Sequence, residues 1–156
     1  MRDGGRLLDR LEAIEEIRTL KALYCRWADR GYATAGDDAA RFAALFTADA
    51  VWTGGRSAAA VGPAEIAERF QSFRPFGFHF LANGIVEVDL AFGRARARWS
   101  ALAPSTDDDG VARWIAGTYD DELVATPEGW RFVRVTFLPA LRTPYADGWA
   151  RTRFVA

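Results

Sequence analysis

Several residue types are rare in this chain of 156 residues, and each scarcity excludes a kind of chemistry. There is one cysteine, Cys25, and one histidine, His79. A single thiol cannot form an internal disulfide, which is typical of a reducing compartment and predicts a cytoplasmic location. One histidine and one cysteine cannot build a typical zinc or iron site, so we expect no metal centre. Because Gly54-Gly55 is not followed by a phosphate-binding or dinucleotide pattern, we expect no cofactor either.

The sequence also has almost no net charge and no long apolar run. The formal net charge is −1, Lys21 is the only lysine, and the arginines are interleaved with acidic residues. This distribution predicts neither a nucleic-acid partner nor a membrane partner. No apolar run is long enough to span a bilayer, and residues 1–6 are not followed by the apolar segment of a signal peptide. The expected working environment is therefore aqueous.

Hydrophobic and aromatic residues are abundant. Half of the residues are hydrophobic, with six tryptophans and eleven phenylalanines, and 26% are charged, which is an ordinary globular composition. The length suits one domain, residues 1–156, with a substantial core. Within that domain we expect a frayed tail over residues 1–6 and an irregular tail over residues 139–156.

The periodicity of the apolar residues changes along the chain. A three-and-four spacing from Leu7 to Gly31 predicts a long amphipathic helix. Asp37 or Asp38 is placed to cap a second, short helix, and Pro63 to open a third. From Phe76 onward a period of two predicts a run of antiparallel strands. Helices segregated from such a meander indicate an α+β fold, with a curved antiparallel sheet forming a cone around a long N-terminal helix and two shorter helices.

Three residues carry the chemistry that this fold could use. Tyr24 and Asp29 lie in the last turns of the first helix, and His79 lies in an aromatic strand. We expect Asp29 and His79 to meet at the bottom of an apolar pocket, where the imidazole is a general base beside the Tyr24 hydrogen-bond donor. Structural alternatives stay open. His79 and Tyr24 could be core residues, and Asp29 could be a surface residue paired with Arg26 or Arg30.

The aromatic residues supply candidates for the walls of the pocket. Most aromatic side chains are expected in the core, whereas six are predicted to bind substrate. Cys25 is an alternative nucleophile, although a small thiol inside a helix more often serves packing. The six predicted substrate-binding residues are Trp27, Trp52, Phe73, Phe76, Trp99 and Trp114.

Three stretches of the sequence resemble one protein family. Residues 24–31 (Tyr-Cys-Arg-Trp-Ala-Asp-Arg-Gly) and residues 42–52 are similar to the start of SnoaL-like proteins, which belong to the nuclear-transport-factor-2-like superfamily. Residues 78–83, which contain His79, are similar to the next landmark of that family. The resemblance covers most of the chain and implies the cone-shaped α+β fold.

The arrangement of these residues is most similar to scytalone dehydratase and bile acid dehydratase-type members. By that resemblance Asp29 orients the base, His79 is the base and Tyr24 is the donor. The chain departs from scytalone dehydratase in two respects. It lacks a second active-site histidine, and it carries Trp52 in the region where that enzyme uses a tyrosine.

These observations predict a cofactor-independent lyase or isomerase, dehydratase-like, acting on a small hydrophobic alcohol or carbonyl compound. A different class stays open, namely a non-catalytic module that binds a hydrophobic ligand or serves dimerisation. The resemblance is also compatible with a polyketide-cyclase-like activity. The expected partner is a small hydrophobic molecule. The mixed polar sheet surface that includes Glu87 and Asp89 suits a homo-oligomer, a dimer or trimer.

Overall fold

The structure is a computed structural model that describes residues 3–33, 35–36, 38–55, 58–71 and 75–155. These residues form one long helix, three short helices and a seven-stranded sheet. The α+β class and the long N-terminal helix are confirmed. In chain order the elements are α1 (Asp3–Ala28), α2 (Ala39–Ala43), β1 (Phe46–Gly54), β2 (Ala60–Val61), α3 (Pro63–Gln71), β3 (Phe76–Gly77), β4 (Phe80–Asp89), β5 (Arg94–Thr106), β6 (Ala112–Thr126), β7 (Gly129–Pro144) and α4 (Gly148–Arg151).

The helix α1 begins earlier than the sequence predicts. It already includes Asp3, so residues 3–6 are helical rather than a frayed tail. Residues 3–6 contain no proline, and adding a residue to an existing helix costs far less than starting one. The other helix signals held. Asp38 accepts a hydrogen bond from the Arg41 backbone N–H at the start of α2, and Pro63 opens α3.

The sheet curls as a half-barrel around α1. Its strand order is β2-β1-β7-β6-β5-β3, and β4 also pairs with β5. The strands β4 to β7 are antiparallel neighbours, as predicted. The strand β1 pairs in parallel with β7, so the sheet is mixed rather than wholly antiparallel. Parallel neighbours need a long connection, and here the helix α3 and the whole β3–β6 meander supply it.

The last long strand, β7, does not end where the sequence predicts. It continues through Pro139 to Pro144 and is followed by α4, so an irregular tail from residue 139 was wrong. The register of β6 and β7 shifts between Ala116 and Gly117, opposite Pro139. A Cβ on Gly117 would lie 2.2 Å from the Leu138 carbonyl oxygen. The irregularity beside a glycine therefore accommodates a proline within the strand.

The concave side of the sheet is packed with aromatic rings. Tyr24 of α1 is fully buried and lies at the centre of this packing. The interior is therefore filled, and the open apolar cone that the sequence suggested is largely occupied by side chains. Five rings lie with their centroids 5.1–6.2 Å from that of Tyr24, those of Phe42, Phe46, Phe70, Tyr119 and Phe132.

None of the helices in the described part of the chain is both long enough and apolar enough to cross a membrane.

Candidate active site

The end of α1 is fastened to β3, and this contact creates the site. Arg30 donates its backbone N–H to the Gly77 carbonyl at 3.0 Å and accepts the Gly77 N–H at 3.2 Å. Gly31 follows in the left-handed region with φ +82°, and a Cβ there would lie 2.3 Å from the Pro75 carbonyl oxygen. Only a glycine permits this backbone approach. The residues on either side of the bridge, Asp29 and His79, are consequently held close together.

Asp29 and His79 form a buried pair across 50 positions of sequence. The Asp29 Oδ1 lies 2.8 Å from His79 Nδ1 and also accepts the His79 backbone N–H at 2.8 Å. The residues are 4% and 8% exposed, respectively. A helical wheel places Asp29 at the shoulder of the apolar stripe, and in the fold its carboxylate is covered by contacts that include His79 and Tyr32. A carboxylate beside Nδ1 favours the tautomer in which Nδ1 carries the proton, with Nε2 on the opposite side of the ring.

Tyr32 completes the environment of the Asp29 carboxylate. Its hydroxyl donates to Asp29 Oδ2 at 2.7 Å, and its ring packs against Phe76 and Phe78. Partial burial and the hydrogen bond to Asp29 raise the pKa of Tyr32 to about 12. The sequence interpretation missed this residue. Its position three residues beyond Asp29, just after the glycine that ends the helix, was the available signal.

Tyr24 lies beside His79 but is not bonded to the pair. Its ring meets the imidazole edge-on, with centroids 6.4 Å apart. Its hydroxyl accepts a hydrogen bond from Trp52 Nε1 at 2.9 Å. Burial, followed by the neighbouring Tyr119, raises the pKa of Tyr24 well above its ordinary value. Tyr24 therefore contacts the imidazole only through its ring in the described contacts.

A second buried polar group lies deeper in the concave side. Lys21 Nζ lies 3.1 and 2.9 Å from the two carboxylate oxygens of Asp121, and Trp99 Nε1 donates to Asp121 Oδ2 at 2.9 Å. The ammonium also lies over the rings of Tyr119 and Tyr24, at 3.9 and 4.3 Å from their centroids. Burial raises the pKa of Asp121, and Lys21 opposes that shift. The sequence interpretation missed this pair, although the only lysine follows Leu20 on the buried side of α1.

The predicted wall residues divide between the interior and other surfaces. Trp52 and Trp99 are buried in the interior, and Phe76 is half-buried beside Tyr32. Trp27 packs under the guanidinium groups of Arg26 and Arg41.

Trp114 and Phe73 are the other two residues that were predicted to bind substrate. In the pairing of β5 with β6, Trp99 lies opposite Tyr119 and Pro104 lies opposite Trp114. Trp114 and Tyr119 are separated by an odd number of positions on β6, so their side chains lie on opposite faces of the sheet. Its ring lies near that of Tyr145. Phe73 lies outside the described residues.

Two surface cavities lie away from the Asp29–His79 pair. One, of about 650 Å³, is lined by residues of the first turns of α1 and by residues 88–91. The other, of about 640 Å³, is lined by charged residues that include Asp49, Glu87 and Arg96. The pair itself is enclosed by protein, so its surroundings are poor in water.

Comparison with known proteins places this fold in a family. The sequence model described as SnoaL-like domain matches residues 9–136. The chain therefore belongs to the SnoaL-like family, within the nuclear-transport-factor-2-like proteins, as the sequence predicted. No curated protein matches its sequence.

Solved structures share the architecture at low sequence identity. A hexachlorocyclohexane dehydrochlorinase, LinA-type3 from Novosphingobium barchaimii, is 20% identical with a TM-score of 0.78, covering 89% of this chain and 94% of its own. A candidate scytalone dehydratase from Novosphingobium aromaticivorans is 20% identical with a TM-score of 0.74, covering 87% and 89%. An NTF2-like protein with a cystatin-like fold, also from Novosphingobium aromaticivorans, is 25% identical with a TM-score of 0.67, covering 97% of this chain and 94% of its own.

Proposed function

We propose that the protein is a cofactor-independent lyase or isomerase that removes a proton from carbon. The observation that carries this proposal is the buried Asp29–His79 pair, with 2.8 Å between Oδ1 and Nδ1. Structural neighbours that are named as a dehydrochlorinase and as a candidate dehydratase agree with this class of reaction. Both names describe eliminations, which need a base at a C–H bond.

The base in this proposal is His79 Nε2. It takes the proton from a carbon next to a carbonyl group, and Asp29 stabilises the imidazolium that forms. In an elimination, the C–H electron pair becomes the new C=C bond as a neighbouring hydroxyl leaves. The imidazolium returns its proton to that hydroxyl, and water is released. In an isomerisation, the same proton is returned to a different carbon.

The surroundings of His79 support a hydrophobic substrate. The rings of Tyr24 and Phe70 lie 6.4 and 6.3 Å from the imidazole, measured between centroids. Exclusion of water strengthens the electrostatic interaction between Asp29 and the imidazolium. We therefore propose a small hydrophobic alcohol or carbonyl compound as the substrate. Because the pair is covered by protein, entry of the substrate requires side chains to move.

The same filling of the interior favours a second candidate, a non-catalytic module. Tyr24 is completely buried, and its hydroxyl is engaged by Trp52. In that reading Asp29 and His79 fasten α1 to the sheet, and the outer sheet face contacts a second copy of the chain. That face carries the exposed side chains of Phe80, Leu102 and Leu138.

Exchange of carbon-bound protons tests the catalytic proposal directly. The purified protein is incubated in deuterated water with small ketones and β-hydroxyketones, and deuterium at the α-carbon and formation of the enone are followed by NMR. Release of chloride from hexachlorocyclohexane is measured in parallel. We expect catalysed exchange or elimination by the wild type and a loss of roughly a hundredfold or more in His79→Ala and Asp29→Asn.

The matched control is Asp120→Asn, because this aspartate lies on the outer face of β6, bound to Arg98. It should retain wild-type rates. Wild-type rates in folded His79→Ala and Asp29→Asn would refute the base. Absence of any turnover, together with an unfolding midpoint lowered by both substitutions, would favour the module.

A further inference from the structure

One buried hydroxyl on the concave side of the sheet makes no hydrogen bond within the described part of the fold. Ser105, in β5, is 2% exposed, and its Oγ has no hydrogen-bond partner among the residues that the structure describes. A buried hydroxyl without a partner costs free energy, so such groups are rare and call for an explanation. A ligand that supplies the missing partner is one such explanation.

The register of the sheet puts this hydroxyl on the same face as the buried base. Pairing of β5 with β6 is continuous from Arg94 to Thr106, and the alternate residues Trp99 and Ser105 therefore share the concave face. On the other side, Ser105 pairs with Gly77 of β3. His79 lies two residues beyond Gly77, so it is a diagonal neighbour of Ser105, at about 7–8 Å between Cα atoms.

The neighbouring positions explain why the hydroxyl is unpaired. Gly77 has no side chain, and Ala103, the next concave residue of β5, has no polar atom. Arg113 of β6, which pairs with Ser105, is engaged by the acidic loop that follows β5. Its Nε lies 2.5 Å from Asp107, and its Nη2 lies 2.6 Å from Asp109. The hydroxyl consequently faces the side of the sheet that carries His79 with its donor unused.

We propose that Ser105 is a substrate-binding residue that donates a hydrogen bond to a carbonyl oxygen, which makes the substrate a ketone. The proposal rests on the proposed function and narrows its substrate class. As His79 takes the proton from the α-carbon, the C–H electron pair forms the C=C bond and the π pair of the carbonyl moves onto oxygen. The Ser105 O–H donates to that oxygen as its negative charge grows, and keeps its own proton.

Two probes of the same shape test the binding step. Cyclohexanone and methylenecyclohexane differ in C=O against C=CH₂, and their binding is followed through the fluorescence of the buried tryptophans. The wild type should bind the ketone roughly three- to tenfold more tightly, the range that one neutral hydrogen bond supports. Ser105→Ala should bind the two probes equally. Equal binding by the wild type, or a ketone preference that survives in Ser105→Ala, overturns the proposal.

Ser100→Ala is the matched control, because Ser100 is exposed on the opposite face of the same strand. It should retain the ketone preference, and its loss there would overturn the assignment to Ser105. The thermal midpoint of the free protein is a second measurement. Ser105→Ala should match or exceed the wild type, since it removes an unpaired hydroxyl. A clear fall would mean that the hydroxyl is already paired in the free protein, which also overturns the proposal.

The α-proton exchange of cyclohexanone separates this proposal from the proposed function. His79→Ala should lose exchange while keeping the ketone preference. If the wild type prefers the ketone but exchanges no proton, the role of His79 as a base is refuted and the Ser105 site is supported. If the wild type catalyses exchange but binds both probes equally, the Ser105 site is refuted and the role of His79 is supported.

Discussion

The Tyr32 hydroxyl donates to Asp29 Oδ2 at 2.7 Å, on the carboxylate oxygen that does not face His79. Both oxygens of Asp29 are thus engaged, one by the imidazole and one by a tyrosine from the loop that follows α1. The negative charge of Asp29 therefore interacts with two groups, the imidazole of His79 and the hydroxyl of Tyr32. The Tyr32 hydroxyl therefore helps to fix the orientation of the Asp29 carboxylate.

Replacing Tyr32 by phenylalanine should raise the pKa of His79. Without the donor to Oδ2, the carboxylate charge is less compensated and favours the imidazolium more strongly. Since the chain has a single histidine, its C2 proton gives one resonance whose shift against pH reports this pKa. The matched control is Tyr145→Phe, at an exposed ring. An unchanged His79 titration in Tyr32→Phe would leave Tyr32 without influence on the pair.

Breaking the Lys21–Asp121 pair from one side should destabilise the fold strongly. Both side chains are buried, 1% and 0% exposed, so Lys21→Met or Asp121→Asn leaves a buried group without its partner. We expect each to lower the free energy of unfolding by about 3–5 kcal/mol, and the double change Lys21→Met with Asp121→Asn, whose amide oxygen can still accept from Trp99 Nε1, to recover much of that loss. Urea unfolding measures all three. Additive losses in the double variant would contradict a coupled pair.

Cys25 should be unreactive in the native protein. Burial raises the pKa of its thiol from 9.0 to about 12, so the nucleophilic thiolate is scarce near neutral pH. Alkylation by iodoacetamide should be slow in the folded protein and fast in concentrated urea. Equal rates in the two states would refute a shielded thiol and reopen its role as a nucleophile.

The same shift in the Cys25 pKa predicts how stability depends on pH. Below the ordinary pKa of 9.0 the thiol is protonated in both states. As pH rises from there toward 12, the unfolded chain releases the proton first, so the free energy of unfolding falls. The Cys25→Ala variant lacks this contribution. The stability difference between the wild type and Cys25→Ala should therefore move against the wild type in alkali, and a constant difference would contradict the shift.

Gly31→Ala should damage both the fold and the pair. An alanine at φ +82° is strained, and its Cβ would meet the Pro75 carbonyl oxygen at 2.3 Å. Gly110→Ala is the matched control, with φ +75° and nothing within 4 Å of the new Cβ. We expect about 1–2 kcal/mol of destabilisation for the control and clearly more for Gly31→Ala. Equal losses of unfolding free energy in the two variants, measured in urea, would mean that the contact between the new Cβ and the Pro75 carbonyl oxygen is relieved without a cost in stability.

Much of the fold was accessible from sequence because its signals are local. The spacing from Leu7 to Gly31, the cap at Asp38 and the period of two along β5 each follow from the immediate neighbours. The length of β7 was not accessible, because Pro139 normally ends a strand and the compensating irregularity lies in another strand, beside Gly117.

For the site, the sequence offered the pair but not its partners. Asp29 and His79 could be proposed because the chain has one histidine, because Asp29 lies at the end of the first helix, and because both residues lie in stretches that resemble the SnoaL-like family. Tyr32 and Asp121 were missed because their contacts depend on the loop after α1 and on which face of β6 turns inward. Trp114 was misjudged for the second reason, since a shift of one residue along a strand reverses the face of every side chain.

The parallel pairing of β1 with β7, in which Val51 lies beside Arg134, has a consequence for synthesis on the ribosome. The strand β2 can pair with one edge of β1 early, but the other edge stays unpaired until β7, the last strand of the sheet, has emerged. During that interval its backbone amides and carbonyls are exposed to other nascent chains. Translation speed through the meander therefore governs how long this edge is vulnerable to mispairing.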